Sequence, residues 1–184
     1  MEPGWAVRAL WAEASVSAEL LGYLHEFTAE TDASALALHD QLTPLVIDDL
    51  LARTGDIDHN EFLCCLRLAE SPGLPEAVAI EIQRWLLRIA GDVVVTDPRA
   101  WGGYVLQPLH VAPNRAAPLG IPLAHILPQN LDHVIQSQSE DGSWSPPWSW
   151  FGAYDADWPQ AEADWRGVLT LERLGWLHAY DRIA

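Results

Sequence analysis

Several carboxylates and a dense set of aromatic rings stand together between residues 141 and 165. Asp155 and Asp157, with Glu162 and Asp164, are interleaved with Trp144, Trp148, Trp150, Phe151, Tyr154, Trp158 and Trp165. A carboxyl group in apolar surroundings has a raised pKa and can act as a general acid. Aromatic faces attract cations. Asp155 and Asp157 are therefore the candidate acids, and Trp148, Trp150, Tyr154, Trp158 and Trp165 candidate ligand-binding rings. The same features fit two plainer roles: rings that staple helices and loops together, and acids favoured by the dipole at a helix N-terminus.

A second group lies upstream. Trp101, Tyr104 and His110 fall in a passage broken by Pro98, Pro108, Pro113, Pro118 and Gly102-Gly103. Irregular passages of this length are functional or closely packed, and loops display functional groups. These three complete the candidate ligand-binding set. His39-Asp40 and His59-x-Glu61 are weak pairs for a divalent metal, with no H-x-x-x-H spacing, so no metal site and no cofactor are expected. Cys64 and Cys65 are adjacent, which suits two packed thiols better than a disulfide.

Composition removes several classes. Asp and Glu number 26 against 10 basic residues, a net charge of -16. That field opposes a phosphate backbone or an anionic membrane, so no nucleic acid partner is expected. All ten basic residues are arginine. Schiff-base and Walker-type lysine chemistry is excluded, and the bias suits a GC-rich bacterial genome. No G-x-S-x-G or G-x-G-x-x-G occurs. The chain of 184 residues, half of it apolar, suits a single domain, 1–184, with a real core. With no apolar stretch near the ~20 residues that span a bilayer, no basic leader and few cysteines, no membrane span and a cytoplasmic location are expected.

The elements that would position these residues read as helices. Apolar periodicity marks Trp5–Ala14, Ser17–Glu30 with Ser17 as N-cap, and Asp32–Arg53. In the last of these, Leu36, Leu38, Leu42, Leu45, Val46, Leu50 and Leu51 form the stripe, Pro44 should kink or split it, and Gly55 should close it. Asp58 caps a helix to Glu70, with Phe62, Leu63, Leu66 and Leu68 inward. Pro75 opens Glu76–Gly91, which buries Val78, Ile82, Trp85, Leu86 and Ile89. Val93-Val94-Val95 reads as a short strand or extended tail. Helix resumes near Ile121 or Pro122 and runs to Gln138, and a last helix covers Gln160–Asp181. The class is all-α, with about six to eight helices and long Pro- and Trp-rich loops.

Gln138-x-x-x-Gly142-x-Trp144 resembles the QW motif of the squalene–hopene and oxidosqualene cyclases. Trp101-Gly102-Gly103-Tyr104, Gln107-Pro108-Leu109, Asn130-Leu131-Asp132 and the segment from Asp141 to Trp150 are similar to bacterial proteins of the squalene-cyclase and prenyltransferase kind. The resemblance covers residues 58–183. It implies an α/α-toroid in which Gln138, Gly142 and Trp144 form a structural clasp between helices. It also implies an aromatic cavity for an isoprenoid-type hydrophobic small molecule. Departures accompany it. The D-x-D-D acid is absent, its nearest strings being Asp56-Ile57-Asp58-His59 and Asp155-Ala156-Asp157. Asp48-Asp49-x-x-Ala52 misses the last ligand of a D-D-x-x-D magnesium site, and no zinc set is assembled. With too few helices for a full ring, the toroid would be partial, completed by a second copy (a homo-oligomer) or by a partner protein.

Two functions stay open. One is a terpenoid-cyclase-like protein holding a hydrophobic ligand, with acid-initiated cyclisation by Asp155 or Asp157. The other is a non-catalytic helical interaction module whose Trp-rich surface meets a partner.

Overall fold

The computed structural model describes residues 14–28, 32–53, 57–150 and 152–183. Among them the protein is all-helical, with eight α-helices and no strand. The chain divides into two compact units, Met1–Val93 and Val94–Ala184. No helix among the described residues is long and apolar enough to cross a membrane. The helix expected at Trp5–Ala14 and the closing residue Gly55 lie outside the described residues.

The first unit contains α1 (Ala14–Phe27), α2 (Ala33–Ala52), α3 (His59–Ala69) and α4 (Glu76–Val93). α3 is central, packing on both α1 and α4, and α2 lies against α1 and α4. Phe62, Leu68, Ile82, Trp85 and Leu86 form the fully enclosed core with Leu21 and Leu50. Asp32 caps α2 by accepting from the amides of Ser34 and Ala35, and Asp58 caps α3 through the amide of Glu61. The α1–α3 approach is close: a Cβ at Gly22 would stand 2.6 Å from Ser71 Oγ.

Several expectations change here. Ser17 lies inside α1 rather than capping it. α2 runs unbroken through Pro44. Of its stripe only Val46 and Leu50 are buried, with Ile47 between them, while Leu36, Leu38 and Leu45 are exposed; the first half of α2 meets α1 through His39 instead. Pro75 stands one residue before α4 and supplies a carbonyl to Ala79, not a first helical position.

The second unit contains a 3₁₀ turn (Pro98–Ala100), α5 (Pro108–Val111), α6 (Gly120–Leu123), α7 (Leu127–Gln136) and α8 (Trp158–Ala179). The helix expected from residue 121 to Gln138 is two helices. Pro128 falls in the first turn of α7, where its missing N–H costs nothing, so the chain restarts there. Val93 ends α4, Val94 lies in a bend and Val95 forms no strand, although its amide donates to the Leu106 carbonyl at 2.8 Å. α7 packs on α5 and on the 3₁₀ turn. The end of α8 is tied back by Tyr180, whose hydroxyl donates to the Ala112 carbonyl at 2.9 Å, and by an Arg182–Asp132 ion pair.

Candidate functional site

The irregular passage before α5 is held by a buried polar chain. The Trp101 indole donates to the Val95 carbonyl at 2.7 Å. The Gln107 amide donates to the Trp101 carbonyl at 2.9 Å, and the Asn130 amide donates to Gln107 Oε1 at 2.9 Å. Asn130 Oδ1 accepts from the Leu109 amide at 3.0 Å. Gln107, Asn130 and Trp101 are all buried. Such groups need partners once removed from water, and these supply one another. His110 Nδ1 accepts from the Gln107 backbone amide at 2.9 Å, and its ring meets the edge of Trp176 at 5.1 Å. Trp101 and His110 are thus parts of the packed interior, whereas Tyr104 is exposed on the surface.

The turn after α7 shows what Gln138, Gly142 and Trp144 do. The Gln138 side-chain amide donates to the Gly142 carbonyl at 2.9 Å, and Gly142 takes φ +84°, the left-handed region that glycine enters freely. The Gln138 amide therefore closes its own turn. The link onward to α8 is made by other groups. The Trp144 backbone amide donates to Thr170 Oγ1 at 3.3 Å, and Arg166 reaches back to Ser143 Oγ and pairs with Asp141. The hydrogen bonds from Ser143 to Asp141, with Arg166 beside them, hold the Asp141 carboxyl below its usual range.

The remaining rings lie on the surface in two chains. Tyr104 meets Trp148 at 5.3 Å between centroids, and Trp148 meets Trp165 edge-on at 5.4 Å. Trp150 meets Trp158 at 5.3 Å and Tyr154 at 5.9 Å. These are ordinary aromatic pair geometries. Trp150, Tyr154 and Trp165 are exposed, and Trp148 and Trp158 are half-buried. Phe151 lies outside the described residues. Asp155 and Asp157 are exposed on the turn that leads into α8. Asp157 occupies the N-cap position of α8, yet its side chain makes no capping hydrogen bond. General-acid chemistry at pH 7 calls for a carboxyl enclosed in apolar surroundings, and neither aspartate is enclosed.

Metal and thiol candidates resolve into packing. Among the described residues no three His, Cys, Asp or Glu side chains gather as metal ligands. His39 stacks on His25 at 4.4 Å, and Glu61 pairs with Arg53. Burial pushes the Cys64 thiol up to about 11 and the Cys65 thiol up to about 12, Cys64 also donating to Glu19.

Comparison of the chain with known protein families, curated proteins and solved structures gives no match.

One residue of this unit was not among the candidates. Arg173 is only 8% exposed and lines a cavity of about 180 Å³ together with Trp101, Gln107, His133, Ser137 and Trp144. Its Nη1 is buried without a hydrogen-bond partner. Burial lowers its pKa from the ordinary guanidinium value, partly offset by Glu172. The signal was present in the sequence. Leu169, Arg173 and Leu177 are spaced four apart, so the apolar face of α8 carries a charge at a core position.

Proposed function

We propose that the protein is a non-catalytic helical interaction module. Its occupant is a partner segment that carries both apolar side chains and arginine or lysine. The observation behind this reading is the surface ring cluster of exposed Trp150 and Tyr154 with half-buried Trp158, bordered by acids without cationic partners. In the second unit Arg99, Arg115, Arg166 and Arg182 pair with Asp97, Asp181, Asp141 and Asp132. Among the described residues, Asp155, Asp157 and Asp164 have no arginine within ion-pair distance, and all three are exposed. Exposed indoles beside unpaired carboxylates favour a basic, partly apolar partner through cation–π attraction and simple charge. A second copy would bring the same acids and a further -16 to the contact, so charge argues against self-docking.

The test is titration of the full chain with an amphipathic arginine-rich peptide, followed by tryptophan fluorescence. The expected result is a saturable change that weakens with salt. It should also weaken at least tenfold in a Trp150→Ala, Trp158→Ala variant. No response, or a response indifferent to these substitutions, overturns the reading. The isoprenoid reading, with its partial α/α-toroid completed by a second copy, makes the opposite demand. A response to squalene or a prenyl diphosphate with none to the peptide, or a dimer by light scattering, would favour it.

A further inference from the structure

We propose that Arg173 is the anchor of a small-molecule site in the second unit that takes a compact monocarboxylate with a flat apolar body, of about the size of benzoate. This inference concerns the half-open cavity beside Arg173 and stands apart from the ring-cluster reading above.

Consider first the charge. A guanidinium carries five N–H donors and stays protonated in proteins. Removing a charge from water costs several kcal/mol even after relaxation, and burial is normally tolerated only with a partner. The other four arginines of the unit each have an aspartate. Arg173 is the most buried of the five, and among the described residues it has neither an ion pair nor a hydrogen bond at Nη1. Its neighbour Glu172 is exposed, and its charge partly offsets the burial of Arg173 without forming an ion pair with it. The residue that needs a carboxylate most is the one the protein leaves without one. An anion supplied from outside would meet that need, and a carboxylate matches the planar two-pronged guanidinium.

The walls then say what the rest of the ligand is. Trp101 and Trp144 are each 1% exposed, and both indole N–H groups are committed to backbone carbonyls, Val95 and Val134. The Ser137 hydroxyl is committed to the Val134 carbonyl, and one Gln107 amide N–H to Trp101. With those donors spent and the rings themselves enclosed, the indoles close the floor of the cavity, and Pro147 adds exposed apolar surface to its wall. His133, against Trp101 at 5.5 Å, adds a second flat ring. A closed apolar cavity of about 150 Å³ holds benzene, whereas this one is half open, with the exposed Ser137, Ser145 and Pro147 in its wall. The 180 Å³ here accommodates a ring plus a carboxylate. One cation, with no second arginine lining the cavity, fits a single negative charge better than the two of a phosphate.

The experiment uses the full chain, benzoate as probe, and benzyl alcohol and inorganic phosphate as comparisons. Melting temperature and tryptophan fluorescence are the readouts. Benzoate should raise the melting temperature and change the emission saturably, since a ligand that binds the folded state stabilises it. Benzyl alcohol should bind at least tenfold more weakly, and phosphate should give no response. Arg173→Met should abolish the benzoate response. Without ligand it should melt at or above the wild-type temperature, because it removes an uncompensated buried charge. Arg173→Lys provides a folded control that keeps the charge and loses the two-pronged geometry; its benzoate affinity should fall between those of wild type and Arg173→Met. The proposal is overturned by equal binding of benzyl alcohol and benzoate, by a phosphate response in place of a benzoate response, or by no saturable benzoate response in wild type. It is equally overturned if Arg173→Met melts well below wild type, which would make Arg173 a structural residue.

Discussion

The Trp144 indole N–H donates to the Val134 carbonyl at 2.8 Å, so the ring that follows the turn is pinned beneath the helix that precedes it. Val134 lies in the last turn of α7, where carbonyls lack helical partners, and the indole supplies one. The ring is also 1% exposed and forms part of the cavity wall. Trp144→Phe keeps an aromatic ring but removes one of the two donors to that carbonyl, the Ser137 hydroxyl remaining, and should cost about 1 kcal/mol. Trp144→Ala adds a large void and should cost about 3–5 kcal/mol. Urea unfolding of both variants checks the order. A Trp144→Phe variant as stable as wild type would mean that the hydrogen bond contributes nothing beyond packing.

The buried pair Asn130–Gln107 offers a second measurement. Asn130→Ala leaves the Leu109 amide and Gln107 Oε1 without partners, at ~1–3 kcal/mol for each group. Asn130→Asp retains the acceptor for the Leu109 amide and loses the donor to Gln107. Its buried carboxyl would have a raised pKa in the folded state. Stability would then be highest below the ordinary carboxylate value of about 4 and fall as pH rises above it. Unfolding curves at pH 4 and pH 7 should therefore diverge for this variant beyond any wild-type difference. Parallel behaviour would show that position 130 reaches solvent.

Much of the helical frame could be read from local chemistry. Asp32 and Asp58 cap where their side chains can reach free amides, and Phe62, Leu66, Leu68, Ile82, Trp85 and Leu86 are buried as their spacing expects, while Leu63, Val78 and Ile89 are half-buried. What failed was information held by neighbours. Leu36, Leu38 and Leu45 repeat at helical spacing like core residues, but whether a facing helix covers them is decided elsewhere in the chain. The break at Pro128 was visible, since proline belongs in a first turn, but continuous apolar periodicity across it suggested one helix. At the site, clustering of rings in sequence did not say which are interior. Trp101 and Trp144 are enclosed because each indole N–H finds a carbonyl, whereas Trp150 and Trp165 remain outside. Arg173 belongs to no motif, and only its place between Leu169 and Leu177 on the buried face of α8 marks it.

The two adjacent cysteines should be inert. With Cys64 raised to about 11 and Cys65 to about 12 by burial, thiolate at pH 8 is scarce in both. A free thiol near 8.5 is partly ionised there, so reaction with a disulfide reagent should be about two orders of magnitude slower in the native protein. Denaturant should release both thiols to react at the ordinary rate. Fast native labelling would contradict the packing of Cys64 against Glu19.

Acid should loosen the first unit at its histidine pair. His25 and His39 stack at 4.4 Å, joining α1 to α2. His25 Nε2 lies 2.9 Å from Thr43 Oγ1, and His39 Nε2 donates to the Leu24 carbonyl at 2.9 Å. Burial lowers the His25 pKa, and the neighbouring His39 lowers it further. A base whose folded value lies below its unfolded value binds more protons when unfolded, so stability rises with pH through that window. The contribution is complete above the ordinary imidazole value of about 6.5 and is lost as pH falls through the depressed one. The midpoint of urea unfolding should therefore be lower at pH 5.5 than at pH 7.5. His39→Gln removes the second imidazole and with it one cause of the shift, so the difference between the two midpoints should shrink. A gap that is unchanged in this variant would assign the pH dependence to groups other than the stacked pair.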